Sequence, residues 1–231
     1  MTPRFLPTLA LALTLCAVSW TGHAVSGSQS DEADRVRTAT TVFEEIMDAP
    51  DAGIPRSVLD RAEGVAVFPS VLKGGLVFGG QYGHGILSVR DRESHTWSAP
   101  AFISLTGGSF GAQIGGQAVD LVLLIMNRRG LDQLLRNQFK IGLDAAAAAG
   151  PVGRNVSAST DIQLRAEILS YSRSRGLFVG VTIDGASVRQ DQDANGRFYG
   201  KAYTTRQIVM ERLGGAPEPV AAWRDMLGKY F

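Results

Sequence analysis

Two stretches of this chain carry glycine at every fourth position, and that pattern constrains the fold more than any other feature. They are Gly75, Gly79 and Gly83, and, 32 residues on, Gly107, Gly111 and Gly115. The surrounding segments resemble each other: Phe78-Gly79-Gly80-Gln81-Tyr82-Gly83 and Phe110-Gly111-Ala112-Gln113-Ile114-Gly115, each preceded by a Gly-Gly pair. In a helix this spacing would be a membrane packing seam, but the apolar length is missing and Gln81, His84, Gln113 and Gln117 intervene. In a strand, residues i and i+4 share a face, so each row marks a side where another backbone approaches closely or the sheet bends. A dinucleotide loop does not fit, because its glycines must lie between a strand and a helix.

The rest of the chain supplies what such strands need around them. Residues 31–47 read as an amphipathic helix, with Val36, Thr40, Phe43 and Met47 on one face and Ser30 as N-cap. A short helix follows Pro55, buries Val58, Leu59 and Ala62, and stops at Gly64. Strands are then expected at 65–68, 75–82, 85–90, 101–105 and 109–115, with a hairpin turn at 91–94. The run 119–126 is apolar except for Asp120 and too short to span a bilayer. Helical spacing returns at 130–139 through Leu131, Leu134, Leu135 and Phe139; strands are expected at 164–171 and 176–183, and a polar hairpin turn at 191–196. Two helices, 204–213 and 220–229, close the chain on either side of Pro217-Glu218-Pro219. The expected class is α+β: a strongly curved, mostly antiparallel, barrel-like sheet flanked by N- and C-terminal helices.

The first 24 residues have the pattern of a secretory signal peptide: Arg4, an apolar stretch, then Gly22-His23-Ala24. The expected organisation is a signal peptide at 1–24, a linker at 25–30 and one domain at 31–231, in an exported protein of the periplasm or the medium. A lipid anchor on Cys16 is the alternative, opposed by Leu15 in front of it. Cys16 is the one cysteine, so the mature chain has no thiol, and it keeps two histidines, His84 and His95. A cysteine nucleophile and a Cys/His zinc site are thereby ruled out. With 23 Lys+Arg against 22 Asp+Glu, the chain has no basic footprint for nucleic acid.

Two motifs need weighing as chemistry. Gly107-Gly108-Ser109-Phe110-Gly111 has the letters of a hydrolase nucleophile elbow, but both histidines precede Ser109 and no strand–turn–helix pattern surrounds it. No catalytic residue and no cofactor is assigned. Asp191, Asp193 and Asn195 begin a calcium-loop pattern, yet its twelfth position is Ala202 where a bidentate acid is required. A turn built on Asn195-Gly196 is the preferred reading, and weak calcium binding the alternative.

Taken in order, residues 62–69, 73–80, Gly83-His84-Gly85, 97–102, 107–115, 149–154, 171–180 and Phe198-Tyr199-Gly200 make the chain resemble a SYLF domain from about Arg35 to Leu213. The resemblance implies binding rather than catalysis: phosphoinositides and membranes in eukaryotic members, actin in a fungal branch. Some relatives attach to membranes by a basic N-terminal helix. Here that helix carries Asp31, Glu32, Asp34, Glu44 and Glu45 against Arg35 and Arg37, which an anionic surface would repel. The candidates for a lipid headgroup are instead Lys73, Arg154, Arg173 and Arg175, each beside glycine-rich backbone whose N–H groups suit a phosphate. The expected role is lipid binding at a membrane surface, with acidic phospholipids as ligand; an envelope module with a protein partner is the alternative.

Overall fold

Among the described residues the apolar faces and the strand-forming runs assemble into six helices and nine strands. In this computed structural model the described residues are 24–49, 53–75, 78–110, 117–153, 165–174, 177–183, 185–211, 213 and 217–231. The helices are α1 (Ala24–Met47), α2 (Arg56–Leu59), α3 (Arg128–Leu134), α4 (Gln192–Tyr199), α5 (Thr205–Met210) and α6 (Glu218–Tyr230). The strands are β1 (Gly64–Gly75), β2 (Phe78–Val89), β3 (Ala101–Phe110), β4 (Gln117–Ile125), β5 (Gln138–Lys140), β6 (Ala147–Ala149), β7 (Ile168–Ser174), β8 (Leu177–Gly180) and β9 (Ser187–Gln190). They form one sheet in the order β5-β9-β3-β2-β1-β4-β7-β6, with β8 also paired to β7. Every pairing is antiparallel except β6 with β7. The sheet curls into a half-barrel, as the α+β expectation required.

Helix α1 buries Val36, Ala39, Phe43 and Ile46, one stripe at helical spacing, against β1 and α6. Phe43 stacks on Phe231, and Phe231 in turn meets the edge of Trp97. The helix begins at Ala24, so residues 25–30, expected as a linker, are helical. Among the described residues no helix is long and apolar enough to cross a membrane. Residues 1–23, with Cys16, lie outside the described residues.

Strand β1 sits at the centre of the sheet and yet contains Pro69, which cannot donate to a ladder. The register shifts between Phe68 and Val71 resolve this as a β-bulge, with Ser70 at φ 53°. The Ser70 N–H donates to Asp120 Oδ1 (3.0 Å), and Arg173 Nε donates to Asp120 Oδ2 (3.2 Å). Asp120, the one polar break in an apolar run, is therefore the side chain that closes the bulge.

Gly75, Gly79, Gly83 and Gly107 are in strands, and the surroundings of the glycines differ along them. A Cβ at Gly83 would lie 2.8 Å from Val71 Cγ2, and one at Gly107 2.9 Å from Gln81 Nε2. At Gly74 and Gly80 it would meet nothing within 4 Å. Gly74, Gly80 and Gly108 pair side by side across β1, β2 and β3, leaving a stripe of exposed backbone. Close approach therefore accounts for the inner glycines and not for this outer row. Gly111 and Gly115 lie outside the described residues.

Two further expectations are corrected. Leu131 and Leu134 are buried from α3, but Phe139 is buried from β5, so the helical spacing at 130–139 joins two elements. The short strands β5, β6 and β9 carried no periodic signal; three alanines pair as β6 because tertiary context overrides propensity. Residues 191–196 are no hairpin turn: Asp191 caps α4, its side chain accepting from the Ala194 N–H (3.0 Å). Asn195, 0% exposed, accepts from the Phe102 N–H (2.8 Å) and donates to the Phe102 carbonyl (3.4 Å). Its amide thus acts as a further strand partner for β3. Asn195→Ala should cost about 1–3 kcal/mol, because it strands the buried Phe102 N–H, whereas the Phe102 carbonyl keeps the Asp191 N–H at 3.0 Å; a urea melt showing no loss would refute that role.

Candidate functional site

Of the four expected basic residues the described structure contains two, in different strands. Lys73 is half-buried in β1 opposite Gln81, and burial pulls its ammonium below the usual lysine range. Arg173 lies in β7 and is engaged by Asp120 and by Glu45 of α1, so its guanidinium ties helix to sheet. Arg154 and Arg175 lie outside the described residues. Asp191, Asp193 and Asn195 do not converge, since Asp191 and Asn195 serve capping and β3. Among the described residues no group of three or more His, Cys, Asp or Glu could hold a metal ion. Ser109 pairs with Gly79 in β3 as a continuing strand residue.

Polar and apolar groups converge instead where α1 crosses the bulged halves of β1 and β2, beside the start of α4. A groove of about 310 Å³ lies there, between Asp31, Asp34, Arg35 and Thr38 of α1 and Pro69, Ser70, Leu72, Tyr82 and His84 of the sheet. Its floor is a cross-strand pair: Leu72 of β1 stands opposite Tyr82 of β2, and they are 60% and 47% exposed. The bulge turns this end of β1 outward, and the small residue Gly83 lets β2 lie close against Val71.

Beside the floor lies a network of charged and polar side chains. Tyr82 Oη lies 2.6 Å from His84 Nε2, with the rings edge to face. His84 Nδ1 is 3.4 Å from Asp191 Oδ2, which also faces Arg35 Nη1 at 3.9 Å. Arg35 lies over the Phe102 ring, and Arg197 of α4 holds Glu32 Oε1 at 2.6 Å. Glu32 is only 2% exposed; its Oε2, Arg35 Nη1 and His84 Nδ1 are buried without hydrogen-bond partners among the described residues. Such orphaned polar atoms cost stability, and their clustering marks a place where packing has yielded to polarity.

Burial, reinforced by Arg35, holds the His84 imidazole below the ordinary histidine range despite Asp191. The unfolded chain therefore binds a proton more readily, so stability is full above the unfolded value of about 6.5 and is lost as pH falls from there through the lower folded value. Wild type should lose more stability than His84→Gln between about pH 7.5 and 5, and parallel curves would refute the assignment.

Read chemically, Tyr82, His84 and Asp191 are in series, but the arrangement orients a tyrosine ring beside an apolar floor. What it offers an incoming molecule is an aromatic face, a leucine and a carboxylate rim. Asp191 was legible only as part of a loop motif, and Tyr82 and His84 only as members of the glycine row. Leu72 carried no signal, because its exposure depends on the bulge.

Comparison with known proteins adds the relationship. The Ysc84 family model, described as "Las17-binding protein actin regulator", matches residues 106–230. "LAS seventeen-binding protein 3" of Saccharomyces cerevisiae is 30% identical over 184 residues, 78% of this chain and 40% of that protein. "Protein YSC84" of the same yeast is 32% identical over 170 residues, 72% of this chain and 36% of that protein. Human "SH3 domain-containing YSC84-like protein 1" is 29% identical over 203 residues, 87% of this chain and 58% of that protein. The chain thus spans between about a third and three fifths of these relatives.

Proposed function

The chain belongs to the Ysc84 family of SYLF-domain proteins, and from that premise we propose that it is a non-catalytic binding domain that docks a protein at the Leu72–Tyr82 groove. One observation carries this reading: two large apolar side chains stand side by side and exposed on a sheet face, rimmed by polar residues. Exposed apolar groups in such a setting characterise docking surfaces, and tyrosine supplies much of the contact energy in many of them. A relative named for binding another protein, and a family description that adds actin regulation, support a protein as the ligand class. The proposal includes export, on the leader-like pattern of residues 1–24.

An acidic phospholipid surface is the second reading. It rests on Lys73 beside the exposed backbone of Gly74 and Gly80, and the carboxylates of α1 oppose it. The test uses a Leu72→Ser/Tyr82→Ser variant of the full chain in two assays. In crosslinking to its partners the variant should lose at least about tenfold in yield, equivalent to about 1.4 kcal/mol, with an unchanged melting curve. Undiminished crosslinking would overturn the docking site. Co-sedimentation with anionic vesicles, reduced by Lys73→Gln, would establish the lipid reading in its place.

A further inference from the structure

Resting on the docking reading above, we propose that the groove selects a partner segment bearing a Lys or Arg beside an apolar residue, and that protonation of His84 releases it. The argument begins with which charges face an incoming group. Asp31 and Asp34 are exposed on the α1 rim. The bases nearby are already engaged: Arg35 lies over Phe102 and faces Asp191, and Arg197 is held by Glu32. Arg37 pairs with Asp34 and Glu218 on open surface, where ion pairs exchange readily. The exposed Tyr82 ring adds a π face of the kind that attracts ammonium and guanidinium groups. Leu72 supplies the apolar contact next to it. An acidic segment would meet Asp31 and Asp34 together, so charge complementarity selects a cationic one.

His84 lines this groove and couples it to proton concentration. The groups that face it are Tyr82 on its own strand, Asp191 before α4, Arg35 and Glu32 of α1, and Arg197 of α4, with Asp31 and Asp34 on the rim. Neutral His84 can accept the Tyr82 hydroxyl proton at Nε2. The doubly protonated ring cannot, so the Tyr82 hydroxyl must turn, and a positive charge appears below the acidic rim. Both changes weaken the hold on a cation.

The test titrates the full chain into a labelled peptide of alternating Lys and Leu, with the Glu/Leu peptide as control. Anisotropy reports binding and NMR follows the His84 ring protons. The Lys peptide should bind saturably, at least about tenfold tighter than the Glu peptide. Asp31→Asn/Asp34→Asn and Tyr82→Leu should each remove most of that preference. Affinity should fall between about pH 7.5 and 5.5 in the wild type and stay flat in His84→Gln. Equal binding of both peptides, an unaltered Asp31→Asn/Asp34→Asn variant, or identical pH profiles would overturn the inference. If partner crosslinking still depends on Leu72 and Tyr82, the docking reading survives that result; if it does not, both fall.

Discussion

Gly85→Val is expected to remove a large share of the protein's stability. A Cβ at Gly85 would lie 2.5 Å from the Val67 carbonyl oxygen and 2.5 Å from Phe68 Cδ1. Neither can retreat. Val67 is held in register with Ile86 on one side and Val122 on the other, and Phe68 is fully buried. Overpacking of this kind sits at or above the upper end of the usual range, about 3 kcal/mol, out of a typical total of about 5–15 kcal/mol. Gly80→Val is the control, with nothing near its added side chain, and should change stability by no more than about 0.5 kcal/mol. Urea midpoints measure both. Equal midpoints would mean that crowding at the glycines does not govern the fold.

Trp223→Ala should have an effect of similar size for the opposite reason, too little packing. Trp223 of α6 is 0% exposed and the largest fully buried side chain among those described. Its indole Nε1 donates to the buried Ser88 Oγ of β2 at 2.8 Å. Removing the ring leaves a cavity, at about 3–5 kcal/mol, and leaves Ser88 without its donor. Trp223→Phe keeps most of the apolar volume and should cost about 1–3 kcal/mol, chiefly for the lost hydrogen bond. A thermal melt separates the two. If they melt alike, the hydrogen bond rather than the ring fastens α6 to the sheet.

The folding pattern was legible wherever a side-chain period was long enough to name a buried face. The stripe through Val36 and Phe43 of α1 is of this kind. Legibility failed at short elements such as β5, β6 and β9, which exist because a neighbouring strand is there to pair with them. The candidate site was harder. The basic residues chosen beside glycines were chosen for local chemistry, and Arg173 shows the difficulty: Asp120 and Glu45, distant in sequence, take up its charge. Asp191 and Asn195 were read as partners in one loop, while the fold sends one to the α4 cap and the other to β3.

By itself the sequence determined that the first glycine row and Gly107 lie in strands, that helices stand at both ends of the domain, and that its histidines are too few and too early for the hydrolase motif. These follow from steric limits and periodicity, which act between near neighbours. Only the tertiary structure decided which glycines are crowded, that Asp120 closes a bulge around Pro69, and that Leu72 and Tyr82 face outward beside α1. Those facts depend on groups brought together from distant parts of the chain, and a local period states that a face must be covered without stating what covers it.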